Sequence, residues 1–400
     1  MLRAAELFAG AGGLGMGIEL AGFDCLAAVE WNRDACDTIR ENQRRGYPLV
    51  RDWPLFQGDV RDFDYSTLPE GMDLIAGGPP CQPFSICGKH RAHNDARDMF
   101  PAAVDAVRRV RPRAFIMENV RGLTRGAFAN YFQYILLQFE FPEVRRKQDE
   151  EWADHLARLQ RRKTSGKRGG LNYNVIATVA NAADYGIPQK RERVFIVGFR
   201  DDLDVKWSFP LPTHSADSLV VDQWVTGEYW ERHGKRKPAT PGNLRREVEY
   251  LRRLNRRPTL VTRPWRTVRD ALHDLPNPVN GPLVGIHNHR FQDGARVYPG
   301  HTGSPLDLPA KTLKAGDHGV PGGENMMVME NGNVRYFTVR ESARLQTFPD
   351  SFVFHGSWSE AMRQIGNAVP VRLAQIVAAS VATKLTEYDM TRLAPPKGRA

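Results

Sequence analysis

Cysteine is scarce in this chain, and its few copies are poorly placed for cross-linking or metal binding. Four cysteines occur among 400 residues, and all lie in the first quarter of the chain: Cys25, Cys36, Cys81 and Cys87. They form no C-x-x-C pair, and no histidine stands at a zinc-ligand spacing from them. The pattern argues against a zinc site and a disulfide framework, so we expect no metal and free thiols in a reducing compartment.

Long apolar runs and internal repeats are missing as well. No stretch approaches the roughly 20 apolar residues of a membrane-spanning helix. Residues 1–6 lack the apolar core of a secretion signal. The sequence therefore predicts a cytoplasmic protein with no membrane partner. Its 400 residues are too many for one small core and fit a large domain plus a second one.

Basic residues outnumber acidic residues, and most of the excess lies in one segment of the chain. The chain has 56 Lys and Arg against 46 Asp and Glu, a net charge of +10. Residues 231–270 contain 13 Lys or Arg and 4 Asp or Glu, a net charge of +9 in 40 residues. This concentration favours a phosphate-binding surface, with nucleic acid as the first candidate partner. Charge alone leaves open a basic enzyme with no such partner.

Strand and helix patterns alternate from the first residues onward. Apolar strands at 4–8 and 24–30 flank a glycine-rich turn and a helix through Leu20, and Asn32 is placed to cap a helix at 33–43. Further strands are predicted at 73–76, 114–118, 174–179 and 193–197, and helices at 97–110 and 127–139. This order is typical of a doubly wound α/β nucleotide-binding fold.

The alternation of strand and helix patterns is interrupted in two places. Residues 141–170, with 9 Lys or Arg and 5 Asp or Glu, are interpreted as a helical extension with a solvated face. From residue 200 to about 337 the chain is rich in Pro, Gly, Arg and aromatic residues, which predicts a second domain of loops and short strands. Helix patterns return at 339–345 and 359–385.

The glycine-rich turn has the features of a nucleotide site. It follows the G-x-G-x-x-G pattern between a strand and a helix, at Gly10, Gly12 and Gly15. Such a turn brings a ligand close to the backbone at a helix N-terminus. Glu30, 20 residues further on at a strand end, is placed to bind ribose hydroxyls. Trp31 can stack on an adenine, and Asp59 can accept from its amino group.

Cys81 follows a rigid turn at the end of the strand at 73–76. The turn reads Gly77-Gly78-Pro79-Pro80. Open α/β sheets place their ligands at the carboxyl ends of the strands, and a thiolate presented there can act as a nucleophile. Taken alone, Cys81 is better interpreted as a buried structural cysteine than as a nucleophile.

Six segments together resemble the cytosine-5 DNA methyltransferase family, in the order in which that family has them. They are FAGAGG at 8–13, GPPCQ at 78–82, MENV at 117–120, YGIPQKRERV at 185–194, RESARLQTFP at 340–349 and QIGNAVP at 364–370. The motifs span nearly the whole chain. The resemblance implies a Rossmann-like α/β S-adenosylmethionine-dependent methyltransferase domain with a smaller target-recognition domain.

The resemblance assigns roles to residues at the matching positions. S-adenosylmethionine is the implied cofactor, and its implied contacts are Phe8, Gly10, Gly12, Gly13, Glu30, Trp31, Asp59, Met99 and Asn367. Cys81 is the implied nucleophile, attacking carbon 6 of cytosine so that carbon 5 can take a methyl group. Glu118 would hold or protonate ring nitrogen N3, and Arg193 and Arg191 would contact the base carbonyl or support its pocket.

The implied partner is double-stranded DNA. The target base must leave the helix stack to meet Cys81. Residues 85–97 are interpreted as a loop that closes over DNA, with Ser85 and Arg97 as contacts. The region after 201 would select the sequence, with Thr312 and Leu313 in a Thr-Leu element similar to the family's. Which sequence is methylated stays open.

The sequence thus predicts a catalytic domain at 1–200, completed by 357–400, and a target-recognition domain at 201–356. We expect a monomeric prokaryotic enzyme that protects DNA alongside a restriction endonuclease. Two alternatives stay open: a tRNA cytosine-5 methyltransferase of the same fold, and a catalytically inactive DNA-binding homologue. The first typically carries a Cys-Phe-Thr element, whereas no cysteine follows Cys87 here.

Overall fold

A seven-stranded sheet forms the centre of the computed structural model, which describes residues 1–80, 98–166, 169–255, 262–315 and 325–393. The strands are β1 (Leu2–Leu7), β2 (Phe23–Glu30), β3 (Leu55–Gln57), β4 (Leu74–Gly77), β5 (Ala114–Val120), β6 (Tyr173–Asn181) and β7 (Glu192–Arg200). Their order in the sheet is β3-β2-β1-β4-β5-β7-β6. The pairs among β1 to β5 are parallel, and β7 is antiparallel to β5. The predicted doubly wound α/β fold is confirmed.

Helices connect these strands, mostly where the sequence predicts them. They are α1 (Gly13–Leu20), α2 (Arg33–Arg44), α3 (Phe100–Val110), α4 (Ala129–Glu140) and α5 (Trp152–Thr164). Asn32 caps α2 as predicted, since its side chain accepts from the Ala35 N–H at 3.0 Å. α1 starts directly after Gly12, whose φ of 83° is a left-handed conformation that glycine adopts without strain.

The core of the sheet is aromatic where α3, α4 and β5 meet. Phe115 of β5 lies against Phe139 and Tyr173, with ring centroids 4.9 and 5.2 Å apart. α5 is the helix predicted within residues 141–170. It is amphipathic: Leu156 and Leu159 join this core while its charged face stays in solvent. The interruption in the sequence pattern is therefore an added layer on the core.

The chain forms two compact units. The first comprises Met1–Ala180, Glu192–Pro210 and Ala374–Ala400, and the second comprises Asn181–Arg191 and Leu211–Leu373. The first unit carries nearly all of the seven-stranded sheet. Assigning catalysis to one unit and target recognition to the other stays a prediction at this point.

The second unit has short elements, as its composition predicts. Its helices are α6 (Ala216–Val220), α7 (Glu228–Arg232), α8 (Arg245–Asn255), α9 (Val268–Leu272), α10 (Val339–Leu345) and α11 (Trp358–Asn367). Its strands are β8 (His214–Ser215), β9 (Arg263–Pro264), β10 (Ser304–Pro305), β11 (Met326–Val328) and β12 (Val334–Tyr336). An apolar cluster of Leu219, Trp224, Tyr229, Trp230 and Val248 holds α6, α7 and α8 together. The sequence analysis did not predict α8.

The predicted helix at 359–385 is wrong at one point, because the chain there forms two helices. α11 ends at Asn367, and α12 runs from Val371 to Leu393. Pro370 explains the break, since proline lacks the N–H that a helix needs and disfavours helical geometry in the residue before it. The chain is already extended at Ala368, two residues before Pro370, where ψ is 149°.

Most of α12 belongs to the first unit, from Ala374 onward. Trp207 donates from its indole N–H to Ser380 at 3.0 Å, and Arg113 pairs with Asp389 at 2.6 Å. The stretch Trp358–Arg392 is the one part of the described chain that is long and apolar enough for a membrane span, and 61% of its most apolar window is buried within the protein. Burial of that extent is typical of a core helix.

Candidate active site

Four of the predicted site segments lie at one edge of the sheet in the first unit. The glycine loop follows β1, Glu30 ends β2, the turn toward Cys81 follows β4, and Glu118 lies near the end of β5. β1, β2, β4 and β5 are parallel neighbours, so their carboxyl ends meet at the same edge. The fold therefore brings together residues that lie up to about a hundred positions apart in the chain.

The glycine loop is held in an uncommon backbone conformation. Phe8 has φ of 56°, Gly10 56° and Gly12 83°. Positive φ costs a non-glycine residue conformational energy, so the strain at Phe8 marks a position that the surrounding contacts enforce. A side chain at Gly10 would meet no atom within 4 Å, which leaves its backbone open toward solvent. Gly13 follows as the first residue of α1.

Glu30 fixes the shape of this loop. One carboxylate oxygen accepts from the Gly10 N–H at 2.7 Å, and the other accepts from the Asn32 N–H at 2.7 Å. Each oxygen keeps a lone pair for a further donor, such as a hydroxyl group. Trp31 beside it is 75% exposed, so its ring face is free to contact a ligand.

Two other predicted cofactor residues, Asp59 and Met99, also belong to the first unit. Asp59, two residues after β3, pairs with Arg61, whose Nη2 lies 2.5 Å from Oδ2. That guanidinium lowers the pKa of Asp59 below its usual value, so the carboxylate is charged. Met99 is half-buried at the start of α3 and packs against the core of the first unit.

Glu6 is a site residue that the sequence analysis missed. It is 2% exposed in β1, and its Oε1 accepts from the Gly15 N–H at 2.9 Å. Its Oε2 is a buried oxygen with no hydrogen-bond partner among the described residues. Burial raises the pKa of Glu6 to about 8. An acid in the otherwise apolar strand 4–7, just before the glycines, was the available signal.

The turn before Cys81 is anchored on both sides. Asn119 of β5 donates from Nδ2 to the Pro79 carbonyl at 2.8 Å, and the Met99 N–H donates to the Pro80 carbonyl at 3.3 Å. At Gly77 a side chain would lie 2.6 Å from the Leu7 carbonyl oxygen, so only glycine fits. Cys81, Ser85 and Arg97 themselves lie outside the described residues.

The two cysteines that the structure does describe are unsuited to nucleophilic attack. Cys25 and Cys36 are both buried. Burial raises the pKa of Cys36 to about 12 and that of Cys25 well above its usual value. A thiol that stays protonated at neutral pH is a poor nucleophile. Within the described ranges, no group of three or more His, Cys, Asp or Glu side chains is placed to bind a metal.

Glu118 and Arg193 form a buried ion pair. The Arg193 Nε lies 2.8 Å from Glu118 Oε1, and the two residues are 9% and 7% exposed. They are diagonal neighbours on β5 and β7, which pair antiparallel with Arg193 opposite Val120. Desolvation lowers the pKa of Arg193, and the Glu118 carboxylate opposes that shift. The second carboxylate oxygen of Glu118 lies against Gly78, in the turn that leads to Cys81.

Arg191 has different surroundings from Arg193, although only one residue separates them. It belongs to the second unit and is 0% exposed. Its guanidinium donates to the carbonyls of Leu313, Gly366 and Ala368 at 3.0, 2.6 and 2.9 Å. A group buried on backbone carbonyls is placed to hold three segments together. Its predicted catalytic role stays untested, and these contacts favour a structural one.

The remaining predicted residues also lie in the second unit. Thr312 donates from its hydroxyl to the Lys190 carbonyl at 2.6 Å. Leu313 is buried, and its N–H donates to Gln189 Oε1 at 3.0 Å, so its side chain packs in the core. Asn367 is exposed at the last position of α11.

The first-unit edge therefore combines three chemical resources. It offers an open glycine loop with a fixed carboxylate, a rigid turn that ends at a cysteine, and a desolvated carboxylate–guanidinium pair beside that turn. Such a pair can bind the polar edge of a planar ring and exchange a proton with it.

Comparison with known proteins gives a consistent result. The family described as C-5 cytosine-specific DNA methylase matches residues 2–142 and 165–383, and the gap between the two ranges contains all of α5. The type II methyltransferase M.NgoPII of Neisseria gonorrhoeae is 30% identical over 390 residues, covering 95% of each chain. M.HhaI of Haemophilus parahaemolyticus is 29% identical over 390 residues, covering 96% of this chain and 95% of its own.

A similar fold occurs in a solved structure. A protein described as a DNA modification methyltransferase encoded within an E. coli prophage aligns with a TM-score of 0.60 and 22% identity. The alignment covers 96% of this chain and 100% of the other.

Proposed function

The chain belongs to the C-5 cytosine-specific DNA methylase family, and on that premise we propose how its residues carry out the reaction. The family activity is transfer of a methyl group to carbon 5 of cytosine in DNA. We propose S-adenosylmethionine as the methyl donor and a specific double-stranded DNA sequence as the substrate. The single observation that carries the mechanism is the buried Glu118–Arg193 pair against the turn that leads to Cys81.

The glycine loop fits S-adenosylmethionine. Glu30 retains lone pairs for two ribose hydroxyls, the Trp31 ring is exposed for stacking on adenine, and Gly10 leaves open space beside the loop. When bound, the cofactor supplies an electrophilic methyl group. The further contacts that we propose are Phe8, Gly12, Gly13, Asp59, Met99 and Asn367.

Cys81 is the proposed nucleophile. Carbon 5 of cytosine is too electron-poor to accept a methyl group directly. Attack of the Cys81 thiolate on carbon 6 forms a C–S bond and moves the ring electrons toward carbon 5, which then takes the methyl group. A base next removes the proton from carbon 5, the 5,6 double bond forms again, and the C–S bond breaks to release the thiolate. The buried Cys25 and Cys36, whose pKa values are raised, cannot replace it.

Glu118 and Arg193 are the proposed partners of the base. When sulfur adds to carbon 6, negative charge develops on ring nitrogen N3 and on the carbonyl oxygen. Glu118 holds or protonates N3, and Arg193 donates toward the carbonyl oxygen while it keeps Glu118 in position. Burial of both groups strengthens these interactions, because little water competes for the charges.

DNA enters with its target cytosine turned out of the helix, because a stacked base hides carbon 6. We propose Ser85 and Arg97 as contacts in the segment after Cys81. Thr312 and Leu313 belong to the proposed recognition region, where Leu313 acts through packing because its side chain is buried. The second unit then selects the sequence and the first performs the reaction.

The biological role that we propose is protection of DNA in a prokaryotic cytoplasm. The curated relatives M.NgoPII and M.HhaI are named type II methyltransferases. We propose that this chain likewise works as a monomer alongside a restriction endonuclease of the same specificity.

The test uses the purified full chain, tritiated S-adenosylmethionine and duplex DNA. The wild type should label DNA at cytosine carbon 5, and bisulfite sequencing should then give the target. Cys81→Ala should remove labelling entirely while DNA binding is kept. Cys87→Ser, six residues away, is the matched control and should keep full activity. DNA with 5-fluorocytosine at the target should trap a covalent complex with wild type and with Cys87→Ser, and none with Cys81→Ala.

Three results would contradict the proposal. Labelling by Cys81→Ala would remove the covalent mechanism. Labelling of tRNA in place of DNA would change the substrate class. No labelling of any nucleic acid by a folded wild type would favour an inactive DNA-binding homologue.

A further inference from the structure

The basic stretch at residues 231–270 is not one uniform surface. Five of its 13 Lys and Arg residues bond to other groups of the protein. Arg232 pairs with Asp222, Lys235 with Glu330 and Arg269 with Asp307, while Lys237 and Arg266 donate to the Trp224 and Asp270 carbonyls. These charges are neutralised or used in folding. They are therefore poor candidates for a ligand-binding surface.

Helix α8 carries four of the charges that remain available, and they form the largest group on one element. Its four arginines are Arg245, Arg246, Arg252 and Arg253, and all are exposed. Among the residues that the structure describes, none of the four side chains forms an ion pair or a hydrogen bond. The same holds for Glu247 and Glu249, so the helix does not neutralise itself by pairs three or four residues apart.

The opposite face of α8 is fixed in the core. Val248 and Leu251 are buried, and Val248 packs in the tryptophan-rich cluster of the second unit. Residues 246, 250 and 253 lie on the face directly away from it, because they are half a helical turn out of phase. Tyr250 is there and is 60% exposed. An exposed aromatic ring flanked by unpaired arginines on an anchored helix is typical of a surface that binds a ligand.

The spacing of these charges matches a DNA groove. Two arginine pairs, 245–246 and 252–253, lie seven residues apart, about 10.5 Å along the helix axis. The major groove of B-DNA is about 12 Å wide and admits an α-helix, so a helix that lies across the groove would bring its two ends near the two phosphate strands. The two glutamates lie between the pairs, where a bridging helix would meet base edges and no phosphates.

We propose that α8 docks in the major groove of duplex DNA, with one arginine pair on each flanking phosphate strand and with Glu249 and Tyr250 toward the bases. This proposal rests on the proposed role of the second unit in target recognition. It assigns affinity to the arginine pairs and sequence preference to the two central residues, because phosphate contacts position a protein and base contacts specify.

The experiment measures binding of the full chain to target and non-target duplex DNA over a range of salt concentrations. The variants are Arg245→Ala/Arg246→Ala and Arg252→Ala/Arg253→Ala. Each should weaken binding to both duplexes by roughly tenfold or more and lower the slope of log K against log salt by about 1.8, since each phosphate contact contributes about 0.9. Tyr250→Ala should keep the slope and narrow the affinity gap between the two duplexes.

A matched control separates this site from net charge. Lys147→Ala/Arg161→Ala removes two exposed charges from the first unit and should leave the slope unchanged. The proposal is overturned if the α8 variants, folded by circular dichroism, keep the wild-type slope, or if the control lowers it equally. If the α8 variants bind duplex RNA more weakly but bind duplex DNA as well as wild type does, α8 is a contact for RNA and the proposal fails. Methyl transfer by wild type is measured in parallel, so a failure at α8 leaves the proposed reaction standing.

Discussion

The sheet edge of the first unit and helix α8 of the second unit both carry charge that we assign to function, and they do so in opposite ways. At the sheet edge, Glu118 and Arg193 are buried and paired at 2.8 Å. On α8, four arginines are exposed and unpaired within the described chain. The first arrangement fixes geometry, and the second leaves charge free for a partner.

The difference teaches what each kind of charge can do. A desolvated pair acts over a few ångströms and depends on exact placement, which suits the stabilisation of a developing charge. Exposed arginines act through counterion release and depend on salt. Mutations at the two places should therefore change different quantities: rate at the sheet edge and affinity at α8.

The largest expected effect is at Glu118. Glu118→Gln should lower kcat by about 10²–10⁴-fold, because the amide cannot exchange a proton with ring nitrogen N3. DNA affinity should change little. Single-turnover methyl transfer at saturating DNA measures the rate, and equilibrium binding measures the affinity. The comparison between the two regions fails if Glu118→Gln mainly weakens binding while its rate at saturation stays near wild type.

A smaller effect is expected at Arg191, and it concerns stability. Arg191→Met should remove three hydrogen bonds to buried carbonyls and cost about 3 kcal/mol or more of unfolding free energy. Urea denaturation measures the cost, and kcat per folded molecule should stay within a few-fold of wild type. Arg191→Lys keeps the charge and should lose less stability. A stable Arg191→Met protein with abolished kcat would establish the catalytic role that the sequence predicts.

A further effect is a pH dependence from Glu6, which changes stability and leaves the geometry of both regions unchanged. Its pKa is raised by burial from an ordinary value of 4.5 to about 8, so the folded state binds a proton that the unfolded state has lost between those values. The contribution of Glu6 to the free energy of unfolding is therefore greatest below about pH 4.5 and falls as pH rises toward about 8. Glu6→Gln, which cannot ionise, should gain stability relative to wild type over that range.

Chemical denaturation of both proteins at several pH values checks the Glu6 prediction. Glu70→Gln, an exposed acid of the first unit, is the control and should run parallel to wild type. If the Glu6→Gln and wild-type stabilities stay parallel from about pH 5 to 8, the buried acid is not the cause.

Local pattern was sufficient for the parts of the molecule that are set by neighbouring residues. Strand alternation, the Asn32 cap and the glycine loop follow from spacing and from side-chain chemistry, and they appear in the structure. Glu118 could be placed near Cys81 in outline, because parallel strands end at one edge.

What the sequence could not supply depends on contacts between distant segments. Arg191 and Arg193 stand in one motif, yet one donates to backbone carbonyls of the second unit and the other meets a strand of the first. α8 was overlooked because its apolar residues stand among six charged ones and give a weak helical pattern, and its stability comes from the tryptophan-rich cluster. The sequence analysis gave no role to Glu6, because its burial depends on the packing around β1.

The position of helix α12 in the chain affects the order in which the two units can be completed during synthesis. Residues from Ala374 onward complete the first unit, where Ser380 and Asp389 bond to Trp207 and Arg113. A ribosome makes that helix after the whole second unit has been synthesised. The emerging chain therefore carries its glycine loop and cysteine turn through the synthesis of the whole second unit without the helix that completes the first unit. The first unit reaches its full set of core contacts only after α12 has been made.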